Sequence, residues 1–161
     1  MIRSVTLADA AAIADIYRYY VLHTTVSFEL EPPSAERMAE RVADFSSRYP
    51  FLVYEDTDGE ILGYCYAHPW KGYPAYSQTF ETTVYLRHGL SGQGIGRQLM
   101  QRLIEECRSL GAHVLIACIT AENEGSIRFH QSLGFDRASL FSQVGHKFGR
   151  YLDVVDLQLI L

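Results

Sequence analysis

Apolar and polar positions recur along this chain with two periods, and each change of period marks an element. Ile2 to Val5 is a short strand-like run, and Thr6 with Asp9 three residues later predicts a capping box. The helix it opens has Ile13, Ile16, Tyr17 and Tyr20 on one face. His23 to Glu29 follows neither period and reads as irregular. Pro32-Pro33-Ser34 then starts a second helix carrying Met38, Val42 and Phe45, which Pro50 stops. Phe51 to Glu55 and Ile61 to Ala67 are strand-like and flank Asp56-Thr57-Asp58-Gly59, a hairpin turn. An aromatic loop, Pro69 to Tyr76, leads into a strand over Thr79 to Leu86.

Beyond a glycine-rich turn, Ile95, Leu99, Leu103 and Cys107 recur every four residues with Met100, Ile104 and Leu110 beside them. Arg97, Gln101, Glu105 and Arg108 face outward, so this is an amphipathic helix, stopped at Gly111. Val114 to Ile119 is almost uninterruptedly apolar, as expected of a strand covered on both faces. Asn123 caps a short helix through Leu133, with Gly134 as its stop. Two last strands, Phe135 to Phe141 and Tyr151 to Leu161, flank a loop over Gly145 to Gly149. The order is one strand, two helices, three strands, helix, strand, helix, two strands, in one domain over residues 1–161.

Composition narrows the function classes. A 161-residue chain with 48% hydrophobic and 20% charged residues is ordinary for a globular fold with one core. Its net charge of −5 argues against a general nucleic-acid binder, which relies on surplus Lys and Arg. Cys65, Cys107 and Cys118 are odd in number and sit in apolar patterns, so they read as reduced core thiols of a cytoplasmic protein. No apolar run approaches ~20 residues, and no basic stretch precedes an apolar one at the N-terminus, so neither membrane nor secretion is indicated. The histidines lack a recurring ligand spacing, and no metal is expected.

The most informative stretch is Ser91-Gly92-Gln93-Gly94-Ile95-Gly96-Arg97, between a strand and a helix. Amides entering a helix N-terminus point at whatever lies there, and the helix dipole favours negative charge, which suits a pyrophosphate. A Walker loop would end in Gly-Lys-Ser/Thr, yet Gly96 precedes Arg97-Gln98. A dinucleotide fingerprint would place its third glycine where Arg97 stands. Both nucleotide readings fail residue by residue.

The element order, the glycine loop after the fourth strand, and Asn123 followed by Phe129-His130-Gln131-Ser132-Leu133-Gly134-Phe135 resemble the GNAT superfamily of N-acetyltransferases over essentially the whole chain. More narrowly, Thr24-Thr25-Val26-Ser27-Phe28-Glu29, Pro69-Trp70-Lys71, Ala75-Tyr76, Glu81-Thr82-Thr83-Val84-Tyr85 and Gly145-His146-Lys147-Phe148-Gly149-Arg150 resemble the phosphinothricin and methionine sulfoximine N-acetyltransferases. The resemblance implies an α/β fold with a mixed, mostly antiparallel sheet of about seven strands flanked by four helices, its fourth and fifth strands splayed to admit acetyl-CoA. It implies main-chain bonds from Val84, Tyr85 and Leu86 to the pantetheine arm, and pyrophosphate binding by the amides of Gly92, Gln93, Gly94, Ile95, Gly96 and Arg97. Asn123 and Ser126 would touch the pantetheine arm, and Asn123 is equally well explained as a helix cap. Ser91 departs from the Gln or Arg with which the superfamily motif usually begins. A homodimer is also implied.

Acetyl transfer to an ammonium requires a proton acceptor. Glu81 alternates with Thr79, Thr83 and Tyr85 on one face of a strand whose neighbours Phe80, Val84 and Leu86 are apolar, so burial would raise its pKa and suit it to general-base work. His130 occupies the position where superfamily members place a tyrosine, and it is the expected proton donor to the departing thiolate, against a packed structural histidine. Thr25, Phe28, Glu29, Trp70, Tyr76 and Lys147 are expected to wall the acceptor pocket, with Lys147 drawing an anionic head group. The acceptor expected is a small amino-acid-like amine. The rivals are a peptide amine, which needs an open groove, and a non-catalytic CoA-binding sensor.

Overall fold

The computed structural model describes residues 1–161. Seven strands, β1 (Ile2–Ser4), β2 (Phe51–Glu55), β3 (Ile61–Pro69), β4 (Thr79–Leu86), β5 (Val114–Thr120), β6 (Asp136–Lys147) and β7 (Arg150–Ile160), form one sheet in the order β1-β2-β3-β4-β5-β7-β6. Every neighbouring pair is antiparallel except β4 and β5. The helices are α1 (Ala10–His23), α2 (Ala35–Ser46), α3 (Ile95–Ser109) and α4 (Glu124–Gln131), with single 3₁₀ turns at Leu7–Asp9 and Pro74–Tyr76.

Strand alternation divides the core in two. Phe51, Val53 and Tyr64 point to one face and pack with Ile13, Tyr17, Met38 and Val42 of α1 and α2. Leu52, Cys65 and Phe80 point to the other and pack with Leu99, Met100 and Leu103 of α3 and Ile127 of α4. Leu99, Met100 and Leu103 are wholly inaccessible, and burying each contributes roughly 1.5–3 kcal/mol. The predicted capping box forms: the Asp9 carboxylate accepts from the Thr6 amide at 2.7 Å. Arg3 clamps the same carboxylate at 2.8 and 2.9 Å and holds its pKa down at about 2.

Several boundaries differ from the sequence expectation. β3 runs on through His68 to Pro69 rather than ending at Ala67. α4 ends at Gln131 rather than Leu133. β6 runs to Lys147, so the expected Gly145-to-Gly149 loop contracts to a turn at Phe148 and Gly149, both at positive φ (52° and 72°). That is the backbone sign of the tight hairpin turns that match strand twist. β6 crosses an irregular register between Phe141 and Gly145, where Gln143 adopts a φ of 59°.

What positions the site is the junction of β4 and β5. Their ladder is short, Thr79 to Glu81 against Val114 to Ile116. The Thr82 hydroxyl donates to the Ile116 carbonyl at 3.2 Å, and beyond it the strands part.

Candidate active site

Antiparallel pairing with β3 decides which β4 backbone groups face the gap. Arg87 N–H bonds Leu62 C=O at 2.8 Å and Trp70 N–H bonds Thr79 C=O at 3.4 Å, so the bonded pairs between them include Tyr64 with Tyr85 and His68 with Glu81. The main-chain groups of Val84 and Leu86 consequently turn toward the gap, and those of Tyr85 turn away. The expectation of a main-chain contact from Tyr85 is therefore corrected: its backbone belongs to the sheet, and its ring packs edge-on against Tyr17 at 5.1 Å. The Leu86 carbonyl already accepts from the Tyr20 hydroxyl at 2.6 Å, which leaves the Leu86 N–H and the Val84 groups directed at a ligand.

Two cavities of about 520 and 530 Å³ meet in this gap and share Val26, Val84, Tyr85, Asn123 and Ser126. One is lined by Ser91, Gly92, Gly94, Gly96 and Arg97 with Leu86 and Phe129. Gly92 and Gly94 have φ of 84° and 82°, a region that other L-residues rarely adopt, and Gly94 serves as the N-cap of α3. Nothing lies within 4 Å of a Cβ built on Gly92, so the loop presents bare backbone to the cavity. The first-turn amides of α3 have no intrahelical partner and face the same region. These features suit the pyrophosphate end of CoA. Gln93 and Ile95 do not line the cavity, and the Ile95 side chain is buried in the core, so any contact Ile95 makes is through the backbone. The Arg97 guanidinium donates to the Ser132 hydroxyl at 2.7 Å at the cavity rim. Asn123 Oδ1 accepts from the Ser126 amide at 3.1 Å, so the helix-cap reading holds for a residue that also lines both cavities.

The other cavity holds Glu81 together with Phe28, Glu29, His68, Cys118 and His130. Burial raises the Glu81 pKa, a nearby Asp156 raises it further, and His68 opposes both. Tyr66 is pushed up to about 12, chiefly by burial. Cys118 corrects a sequence expectation, since it opens onto this cavity instead of joining Cys65 and Cys107 in the core. Its thiol is pushed up to about 12 by desolvation and by Glu81 and Asp156, so it is protonated at neutral pH and is no nucleophile.

His130 is buried, edge-on to Phe129 and Phe135 at 5.2 and 5.3 Å. Its Nδ1 lies 2.9 Å from the Ser126 carbonyl, which only accepts, so Nδ1 carries the proton and Nε2 a lone pair. Burial lowers the imidazole pKa, which makes the ring neutral at neutral pH. A neutral ring in that tautomer accepts a proton more readily than it gives one, and the expected donor role is corrected accordingly.

Of the expected acceptor-pocket residues, only Phe28 and Glu29 line the cavity. Thr25 is buried behind it, its hydroxyl donating to Glu122 and its carbonyl accepting from Thr120. Trp70 and Tyr76 pack edge-on against each other at 5.1 Å, with Lys71 Nζ 4.1 Å from the Trp70 ring, away from the cavity. Lys147 is buried and donates to the Ser27 carbonyl at 2.7 Å, so it anchors the 24–29 segment and does not meet the cavity as a free cation. The sequence reading missed Tyr17, Tyr66, His68 and Thr83. Tyr64, Tyr66 and His68 alternate on β3 as Glu81, Thr83 and Tyr85 do on β4, and the register superposes the two rows.

The sequence matches the acetyltransferase (GNAT) domain family over residues 2–155. It is 40% identical over 164 residues to the L-amino acid N-acyltransferase MnaT of Escherichia coli, covering 99% of this chain and 93% of that protein. It is likewise 40% identical to the L-methionine sulfoximine/L-methionine sulfone acetyltransferase of Salmonella typhimurium, covering 99% and 94%. The phosphinothricin acetyltransferase of Sinorhizobium meliloti, solved in complex with acetyl-CoA, superposes with a TM-score of 0.96 at 35% identity over 100% of this chain and 88% of that one.

Proposed function

The chain belongs to the GNAT acetyltransferase family, and from that premise we propose that it transfers the acetyl group of acetyl-CoA to the α-amino group of a small amino-acid-like compound. Phosphinothricin, methionine sulfoximine and methionine sulfone are the leading acceptors, with the named relatives as support. The observation that carries the reading is the meeting of two cavities at the splayed strands. One offers bare glycine backbone to a polyanion, and the other offers a half-buried carboxylate to an amine.

In this mechanism Glu81 accepts a proton from the acceptor ammonium, directly or through water, because burial has raised its pKa toward the range where a base works near neutrality. The freed amine attacks the thioester carbonyl. The Val84 N–H, facing the gap, hydrogen-bonds the carbonyl oxygen as charge develops there, a contribution of ~3 kcal/mol in good geometry. Phe28 shapes the acceptor cavity, while Glu29, bound to Arg41 at 2.6 Å, sits at its wall. The thiolate of CoA leaves without a protein acid, and the second proton lost from the attacking nitrogen passes to that thiolate or to solvent. Whole-chain proposals accompany this reading: residues 1–161 act as one acetyltransferase domain, two chains form a homodimer, and the free thiols Cys65 and Cys107 suit the reducing cytoplasm.

The test is thiol release from acetyl-CoA by the purified protein with phosphinothricin, methionine sulfoximine, methionine sulfone, ordinary amino acids, a polyamine and a peptide amine. Selective turnover of the first three is expected. Turnover of the peptide alone would overturn the small-molecule reading, and acetyl-CoA binding without release on any amine would make the protein a sensor.

A further inference from the structure

The acyl-transfer reading gives no task to His68, the titratable side chain of the acceptor cavity that stands nearest the proposed base. His68 lies on β3 directly opposite Glu81 on β4. Its Nδ1 is 3.0 Å from the Pro69 carbonyl oxygen. A carbonyl only accepts, so Nδ1 carries a proton in either charge state, and Nε2 is the atom that gains or loses one. Nε2 is 3.8 Å from Glu81 Oε1. The ring is held in that direction by stacking on Phe45 of α2 at 5.4 Å and by Tyr66 of β3 at 5.7 Å. Both partners keep an edge in water, with side-chain exposures of 22% and 27%, so both exchange protons with solvent.

Of the titratable groups lining this cavity, His68 is the one able to face Glu81 as a cation: burial keeps the His130 ring of α4 neutral and the Tyr17 phenol of α1 protonated. From β7 comes Asp156, which accepts from the Ser139 hydroxyl of β6 at 3.0 Å. From β5 comes the Cys118 thiol, and from β3 the Tyr66 phenol, both held protonated at neutral pH. α2 contributes Arg41, but its guanidinium is committed to Glu29 at 2.6 Å.

We propose that His68 is a positioning residue for the base: as imidazolium it holds Glu81 in the carboxylate form against burial and against Asp156, and so carries acetyl transfer to lower pH than Glu81 would support alone. The effect belongs to the imidazolium alone, because a neutral ring at the same place carries no charge to set against burial. A single positive charge at this separation acts on a carboxyl that already resists ionisation, and a cation within 4–6 Å commonly moves such a group by roughly 1–3 pH units. Asp156 acts on Glu81 with the opposite sign.

The proposal rests on the acyl-transfer reading for its kinetic arm, and a second arm needs no acceptor. In the first, kcat/KM for the preferred amine is followed from about pH 5 to about pH 9 in the wild type, His68→Gln, His68→Phe and Asp156→Asn. Loss of the imidazole is expected to move the acid limb up by about one pH unit while the high-pH plateau stays within about threefold. Asp156→Asn is expected to move the limb down. In the second arm the carbon-13 resonance of the Glu81 side-chain carboxyl, assigned with Glu81→Gln, is titrated by NMR. Its midpoint is expected to rise in His68→Gln. Phenylalanine preserves the stacking on Phe45 and Tyr66, and if that variant fails to fold, His68→Gln decides alone. A carboxyl midpoint that stays in place, or a rate that falls in equal proportion at every pH, overturns the proposal. Should no amine turn over, the function reading has failed, and the carboxyl titration still decides the coupling of His68 to Glu81.

Discussion

At the scale of single residues the proposed chemistry comes down to one carboxylate in a place that penalises its charge. Glu81 shares its strand face with Thr83 and Tyr85 and looks across to His68, and burial is the largest influence on its pKa. Glu81→Gln keeps the shape and removes the proton acceptor, so kcat should fall by on the order of 10²–10⁴ while affinity for acetyl-CoA, measured by calorimetry, holds. The pH profile supplies the sign. A carboxyl with a raised pKa is protonated over the range just above the ordinary carboxylate value, so wild-type kcat/KM should fall there as pH drops, and the residual activity of Glu81→Gln should lack that limb. Retention of the limb in the variant would assign the base to another group. Cys118 lies in the same cavity, but its thiol is pushed up to about 12 and stays protonated, so an acetyl-cysteine intermediate is not expected.

At the scale of elements, the acceptor cavity depends on β6 reaching across to the 24–29 segment. Lys147 donates to the Ser27 carbonyl, and Gly145 faces Phe28 so closely that a Cβ there would overlap the ring. Gly145→Ala should displace Phe28, raise KM for the acceptor several-fold with little change in KM for acetyl-CoA, and destabilise the fold by roughly 1–3 kcal/mol in chemical denaturation. Unchanged acceptor KM would separate Phe28 from acceptor binding. These contacts also explain what was legible in the sequence. Periodicity marked the core strands and helices, because their alternation and four-residue recurrence are the imprint of burial. Strand alternation likewise singled out Glu81, and the glycine spacing singled out the loop before α3, and both line the cavities at the β4–β5 gap. Direction was not legible. Lys147 has the charge expected of a substrate clamp, but only the β6 register reveals that it turns inward to a carbonyl. Trp70 and Tyr76 have the residue types of a binding wall, but they are spent on each other. His68 was missed because its place opposite Glu81 depends on how the chain returns from Pro69 to Thr79, which no local pattern encodes. Gly145 to Gly149 read as a loop because two glycines flank it, whereas the positive φ is confined to Phe148 and Gly149.

At the scale of the whole molecule, the sheet ends on one side in β6, a twelve-residue edge strand. Leu140, Phe141 and Val144 on that strand are 55%, 50% and 60% exposed, with Phe148 and Tyr151 beside them at the hairpin turn. A long apolar edge is a liability that folded proteins ordinarily cover or break with charge, and we propose this face for the homodimer interface. A stable dimer buries about 800 Å² per partner, which a single side chain does not supply, so two substitutions within the patch are the better probe. Light scattering should give twice the chain mass for the wild type, and Phe141→Glu combined with Val144→Glu should give the mass of one chain. The same hairpin carries Gly145 and Lys147, which brace Phe28 and Ser27 at the acceptor cavity. Separation of the chains should therefore raise KM for the acceptor more than KM for acetyl-CoA, whose cradle lies on the far side of the β4–β5 splay at Gly92 to Gly96. A wild type that scatters as a single chain would overturn the dimer. A dissociated variant with both KM values unchanged would keep the dimer and show that the hairpin braces the cavity without help from a partner.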